Sequence, residues 1–182
     1  MTRADLDPRA RGQVQTQSYL MFQLGSEDYA IEIRNVLEIK GYTAITPIPN
    51  APAYLKGVMN LRGNIIPVVD LRQRFGMPAG NYDKFTVILI VSVQDKTSGV
   101  LVDTVTDIVE LPTSQVAPPP DLGAQVDTSF LRGMVKSGGR VVLVLDLEQT
   151  IRDVMSYSEA LMGELGGAAS DDAIPAEREA KP

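Results

Sequence analysis

Every second residue is apolar through much of this chain, and that alternation predicts strands. In Tyr19–Leu24, Leu20, Phe22 and Leu24 alternate with polar or smaller neighbours, as on a half-buried strand. Gly25-Ser26-Glu27-Asp28 reads as a hairpin turn into a second strand over Tyr29–Ile33. Val36–Lys40 continues as a strand or a sharp bend. Pro47, Pro49 and Pro52 then impose extended loop, because each proline removes a ladder donor. Further strands are predicted over Gly57–Leu61, Asn64–Val69, Phe85–Val93, Gly99–Val102, Asp107–Leu111, Gly133–Val135 and Val141–Leu145. Phe85–Val93 and Val141–Leu145 are nearly continuous apolar runs, which predicts strands covered on both faces at the seam between two packed units.

The period changes at two places. Asp70-Leu71-Arg72-Gln73 and Asp146-Leu147-Glu148-Gln149 each set an Asp three residues before a Gln, the spacing of a capping box opening a helix. Gly76 and Pro78 keep the first helix short. The second is predicted from about Leu147 to Met162, with Ile151, Val154, Met155, Leu161 and Met162 on one face as a C-terminal clasp on the strands.

The strands are written twice. LKGVMNLRGNIIPVVDL (55–71) aligns without a gap with LRGMVKSGGRVVLVLDL (131–147). Six positions are identical: Leu55/Leu131, Gly57/Gly133, Gly63/Gly139, Val68/Val144, Asp70/Asp146 and Leu71/Leu147. More faintly, AIEIRNVLEI (30–39) aligns with GVLVDTVTDI (99–108). The offset is 69 in that block and 76 in the other, so the second copy carries seven extra residues in the loop that holds Pro118-Pro119-Pro120. A duplicated β-unit predicts two similar barrels or sandwiches in tandem. The copies disagree at the turn, where Asn60-Leu61-Arg62 stands against Lys136-Ser137-Gly138. A turn needs only the glycine that follows, so Asn-Leu-Arg in one copy is a candidate for function.

Composition narrows the functions. The 182 residues can bury one good core, or two small ones sharing an interface. Residues 1–16 and 163–182 are small, polar and charged, and are expected to be disordered tails around a unit at 17–162. No apolar stretch approaches a membrane span and the N-terminus has no secretory h-region, so no membrane insertion is expected. A net charge of −6 without a basic run argues against nucleic acid and anionic membranes. Zero Cys excludes disulfides and thiolate chemistry. Zero His removes the commonest general base near neutral pH and the commonest metal ligand. No cofactor and no metal are expected.

Asp70 and Asp146 invite a reading as an acid–base pair, but capping explains both, including each Gln. Asp103, Asp107 and Glu110 lack metal-loop spacing and read as a solvated acidic face. Gly138-Gly139 is a hairpin turn rather than a phosphate loop, since no Lys-Ser/Thr follows. Glu38 matches Asp107 in the second copy, whereas Arg62 has no charged counterpart. Read as surface charges they form a pair worth little to stability, so their use would be recognition.

VLEIKGY (36–42) followed by NAPAYLKGVMNLRGNIIPVVDLR (50–72) resembles the signature of the CheW family of chemotaxis coupling proteins, over about Tyr19 to Ile151. The resemblance implies a mainly β fold of two intertwined five-stranded SH3-like β-barrels with a C-terminal helix. The expected boundaries are barrel one at 17–80, barrel two at 81–146 and the helix at 147–162. It also implies no catalysis. The expected function is a cytoplasmic scaffold, a monomer when free, recruited to membrane receptor arrays. There it couples the cytoplasmic tip of methyl-accepting chemoreceptors to the regulatory domain of a two-component histidine kinase.

The family's receptor contact carries over onto Val36, Glu38, Arg62, Val87 and Val105. Its kinase contact carries over onto Gly41, Tyr42, Ile45 and Gly57. A second kinase contact in the long loop falls on Ala117 and Leu122, where family members often present a basic residue and an aromatic. Two alternatives remain open. One is a same-fold coupler of a pilus or surface-sensing pathway. The other is a small carboxylate-dependent β-barrel hydrolase, which would show a cleft with two close carboxylates of shifted pKa.

Overall fold

In the computed structural model the described residues are 12–168, without the side chains of Leu161, Met162 and 164–168. The expectations for residues 1–11 and 169–182, and for Leu161 and Met162 on the buried helix face, lie outside the described residues. Ten strands and two α-helices follow in order: β1 (Thr16–Leu24), β2 (Glu27–Glu32), β3 (Val36–Gly41), β4 (Leu55–Leu61), β5 (Asn64–Asp70), α1 (Leu71–Arg74), β6 (Val87–Val93), β7 (Lys96–Val102), β8 (Thr104–Pro112), β9 (Leu131–Ser137), β10 (Arg140–Leu145) and α2 (Leu147–Ala168). Both helix N-termini are capped as the Asp residues predict. Asp70 accepts the N–H groups of Arg72 and Gln73, and Asp146 accepts that of Gln149 at 3.1 Å. The second helix runs beyond the predicted Met162 to Ala168.

The strands form two five-stranded sheets, ordered β8-β1-β2-β10-β9 and β3-β6-β7-β5-β4. The repeat maps β1–β5 onto β6–β10, so each sheet takes two strands from one copy and three from the other. The parallel pairs show the exchange: Val144 faces Ala30 across β10 and β2, as Val68 faces Gly99 across β5 and β7. The intertwined fold is therefore present, but the division at 17–80 and 81–146 does not follow the sheets. β1 and β2 belong with β8, β9 and β10. The chain changes sheets at Ile33–Asn35, a single 3-10 turn, and again at Asp103. Repetition shows which segments are alike; pairing decides which are neighbours.

Each sheet curls around a small core of its own. Val135, Val142 and Val144 fill one, and their repeat equivalents Met59, Ile66 and Val68 fill the other. A larger core lies between the sheets, built from Leu20, Phe22, Leu89, Val91, Ile151, Val154 and Met155 among others. β6 is covered on both faces as predicted, with Ile88 and Ile90 inside its own sheet and Leu89 and Val91 on the shared core. Two features differ. Phe85 is exposed and precedes the strand, because the Asp83 carboxylate accepts the Phe85 N–H at 2.7 Å and bends the chain into a turn. Val141 is also exposed, near the hairpin end where β10 meets only the edge strand β9.

The N-terminal boundary also moves inward. Thr16 pairs with Pro112 in β8, and the Gln15 carbonyl accepts the Thr113 N–H at 2.9 Å. Thr16, expected in the tail, is part of the sheet, and Gln15 is tied to the turn that follows β8.

Candidate interaction surface

Arg62 and Glu38 meet. The Arg62 Nη2 donates to the Glu38 carboxylate at 2.8 Å, and Lys40 Nζ lies 3.6 Å from its other oxygen. The Arg62 side chain is 74% exposed and that of Glu38 29%, so the guanidinium stands over a half-sheltered carboxylate. The turn carrying Arg62 needs more than its glycine. Both central residues have positive φ, +51° at Arg62 and +88° at Gly63, the conformation of a two-residue hairpin turn matched to strand twist. The second copy places Gly138 and Gly139 there, at +57° and +77°. Arg62 thus holds a left-handed backbone in which its repeat partner is glycine, and such strain points to a use for the side chain. Asn60 supports the turn by accepting the Gly63 N–H at 2.8 Å.

Val36, Val87 and Val105 are half-buried and all pack against the shared core. Val36 and Val105 are repeat equivalents, one near the start of each edge strand β3 and β8. Val87 sits at the far end of the β3–β6 pair, opposite Gly41. The five residues thus draw on both sheets.

Gly41 and Tyr42 are exposed at the end of β3, and Ile45 is half-buried against the core of its sheet. Tyr42 stacks on Tyr82 with ring centroids 4.8 Å apart, and Lys56 Nζ stands 4.9 Å from the Tyr82 ring centroid. Burial and a 2.9 Å hydrogen bond to Asp70 push the Tyr82 phenol well above its usual range. Gly57 differs from expectation, because it is buried. It has φ +147° and lies under the bridge between Thr46 and Val58, where a Cβ would collide with the Thr46 carbonyl. It holds the proline loop down instead of presenting a surface. Gly133 does the same under Ala117, which explains the shared glycine of the two copies.

In the long loop, Ala117 is exposed while its backbone bridges to Met134, and Leu122 is 56% exposed. Ala117 thereby joins the sheet of β9, not the sheet whose core Ile45 packs against. Sequence reasoning missed Leu37, Ile39 and Phe85, all exposed, and Tyr82 beneath Tyr42. The available signal was β3 itself, where Leu37 and Ile39 alternate with charged Glu38 and Lys40 on an edge strand.

The carboxylates do not make a catalytic pair. Asp70 and Asp146 are both helix caps, and Asp70 is further engaged by Tyr82. Asp103 is also not solvated face. Burial works against its charge, but the Arg72 guanidinium and the Gly25 N–H outweigh it and hold the carboxyl below the ordinary range.

Residues 18–155 match the model of the CheW-like domain. The chain is 37% identical over 140 residues to the chemotaxis protein CheW of Klebsiella aerogenes, covering 77% of this chain and 84% of that protein. It is 37% identical over 129 residues to the chemotaxis protein CheW of Rhizobium meliloti, covering 71% and 83%. The structure of the scaffolding protein TtCheW from Thermoanaerobacter tengcongensis superposes with a TM-score of 0.70 at 29% identity, over 83% of this chain and 94% of that one. Nothing in these likenesses or in the capped carboxylates supports a hydrolase. With the exchanged sheets, the helix-capped repeat and the Asn-Leu-Arg-Gly turn, they show that the chain belongs to the CheW family, non-enzymatic scaffolds of chemotaxis signalling.

Proposed function

We propose that this scaffold joins the cytoplasmic tips of methyl-accepting chemoreceptors to the regulatory domain of a two-component histidine kinase. It works in the cytoplasm, beneath membrane-bound receptor arrays. The receptor surface comprises Val36, Glu38, Arg62, Val87 and Val105. The kinase surface comprises Gly41, Tyr42 and Ile45 over the Gly57 pivot, with a second contact through Ala117 and Leu122. The observation that carries the reading is Arg62, held over Glu38 in a backbone conformation that costs free energy and that the second copy fills with glycine. Half-buried valines offer apolar area, while the charged pair sets register and excludes wrong partners. Coupling follows if the receptor's two signalling states bind the scaffold with different affinity, which shifts the kinase's active population. No helix among the described residues is long and apolar enough to cross a membrane.

Arg62→His and Glu38→Lys test the receptor surface. Histidine tolerates a left-handed φ better than most residues, and surface substitutions usually change stability by less than about 0.5 kcal/mol. Circular dichroism should be unchanged while receptor-dependent kinase stimulation falls. Full stimulation by both variants would remove the assignment.

A further inference from the structure

The two crossovers between the sheets are equivalent under the repeat. The aligned blocks set Arg34 against Asp103 and Arg72 against Glu148, and the β1–β2 and β6–β7 turns set Gly25 against Gln94. The same three positions therefore recur as a set, with the charges reversed. At the later crossover Asp103 is the only residue between β7 and β8. Its carboxylate accepts from Arg72 Nε at 2.7 Å, from Arg72 Nη2, and from the Gly25 N–H at 2.7 Å. Arg72 lies on α1 directly after β5, and Gly25 in the turn between β1 and β2. The backbone of Gly80 presses on the guanidinium so closely that a Cβ there would lie 2.9 Å from Nε.

At the earlier crossover, Ile33–Asn35, the equivalent pair is not joined. Glu148 accepts from the Gln94 side chain at 2.6 Å, while Arg34 turns to the buried Glu32, which also pairs with Arg132. Among the described residues no ion pair links Arg34 with Glu148. Both line a cleft of about 180 Å³ instead.

We propose that Arg72 and Asp103 are a positioning pair for receptor binding: they pin the crossover two residues before Val105 and so hold that valine in register with Val36 and Val87 on the opposite sheet. This rests on the reading of those valines as receptor surface. A one-residue crossover is a hinge unless something fixes it, and a two-pronged guanidinium–carboxylate contact fixes orientation as well as distance. Lysine cannot reproduce the fork.

The chain has no cysteine, so nitroxide labels can be placed at Asn64→Cys in β5 and Glu110→Cys in β8 of the full-length protein, both exposed strand positions. Three backgrounds are compared with the native one: Asp103→Asn, Arg72→Lys, and the two combined. Each single change should broaden the distance distribution between the labels. Affinity for a purified receptor signalling fragment should fall about tenfold, while affinity for the isolated kinase regulatory domain stays within twofold. The combined variant should lose little more than the worse single change, because either change alone already breaks the fork. A native distribution in both single variants, or fully additive losses in the combined one, overturns the proposal. Broadened distributions with undiminished receptor affinity, in these variants and in a Glu38→Lys control alike, would instead remove the receptor-surface reading and leave the pinning intact.

Discussion

Gly57 lies under the Thr46 carbonyl with φ +147°, so both its missing side chain and its backbone freedom are in use. Gly57→Ala must push the proline loop away or distort β4. It should cost about 2–4 kcal/mol, lowering the melting temperature by about 5–15 °C. Gly133→Ala, meeting the Ala117 carbonyl, should destabilise to a similar degree. At the Tyr42–Ile45 surface only Gly57→Ala should also weaken binary binding of the kinase regulatory domain, because Gly133→Ala displaces Ala117 instead. Thermal unfolding and titration calorimetry would check the pair, and unchanged melting in either variant would contradict the packing described. The identity of these glycines across the repeat was visible in the sequence. Its cause was not, because the collision is with a backbone eleven or more residues away. Arg62 shows the opposite case: its lack of a charged counterpart marked it, and the structure added that the turn requires positive φ at two positions rather than one.

The long second-copy loop is an element whose extra length the sequence located and whose course it could not. Leu55 follows Thr46 by nine positions, whereas Leu131 follows Ala117 by fourteen, so five of the seven extra residues come after the bridge to Met134. The bridge uses only the Ala117 backbone, which leaves its side chain free to vary. Alanine brings no charge there, and the exposed Leu122 lacks the flat ring favoured at interface hot spots. Ala117→Arg with Leu122→Phe should therefore raise the fraction of protein sedimenting with reconstituted receptor–kinase arrays severalfold. Binary affinity at the Tyr42–Ile45 surface should not change. An unaltered sedimenting fraction would show that this loop is not a kinase contact. β3 was ambiguous between strand and bend for a related reason: a 3-10 turn precedes it, and its Leu37 and Ile39 face outward.

The molecule is a duplication whose copies have traded strands, so its halves are not separable units. A fragment of residues 12–83 carries β1–β5, and one of 84–168 carries β6–β10 and α2; neither holds all five strands of any sheet. Each alone should fail to give a folded monomer, while the two expressed together should restore the native circular dichroism and a one-to-one complex by light scattering. A half that folded as a monomer would refute the pairing. The same trade sets the order in which the protein can be completed as it is made. All strands of the sheet from β3 to β7 are present once Val102 has been added, but β2 waits for its neighbour β10, which ends at Leu145. At about 5–20 residues per second the first hairpin spends on the order of ten seconds with Tyr19 and Ala30 not yet covered by Val142 and Val144. The earliest strands to leave the ribosome are among the last to be seated, and a nascent chain that stalls before Leu145 presents an unfinished β-edge to its neighbours.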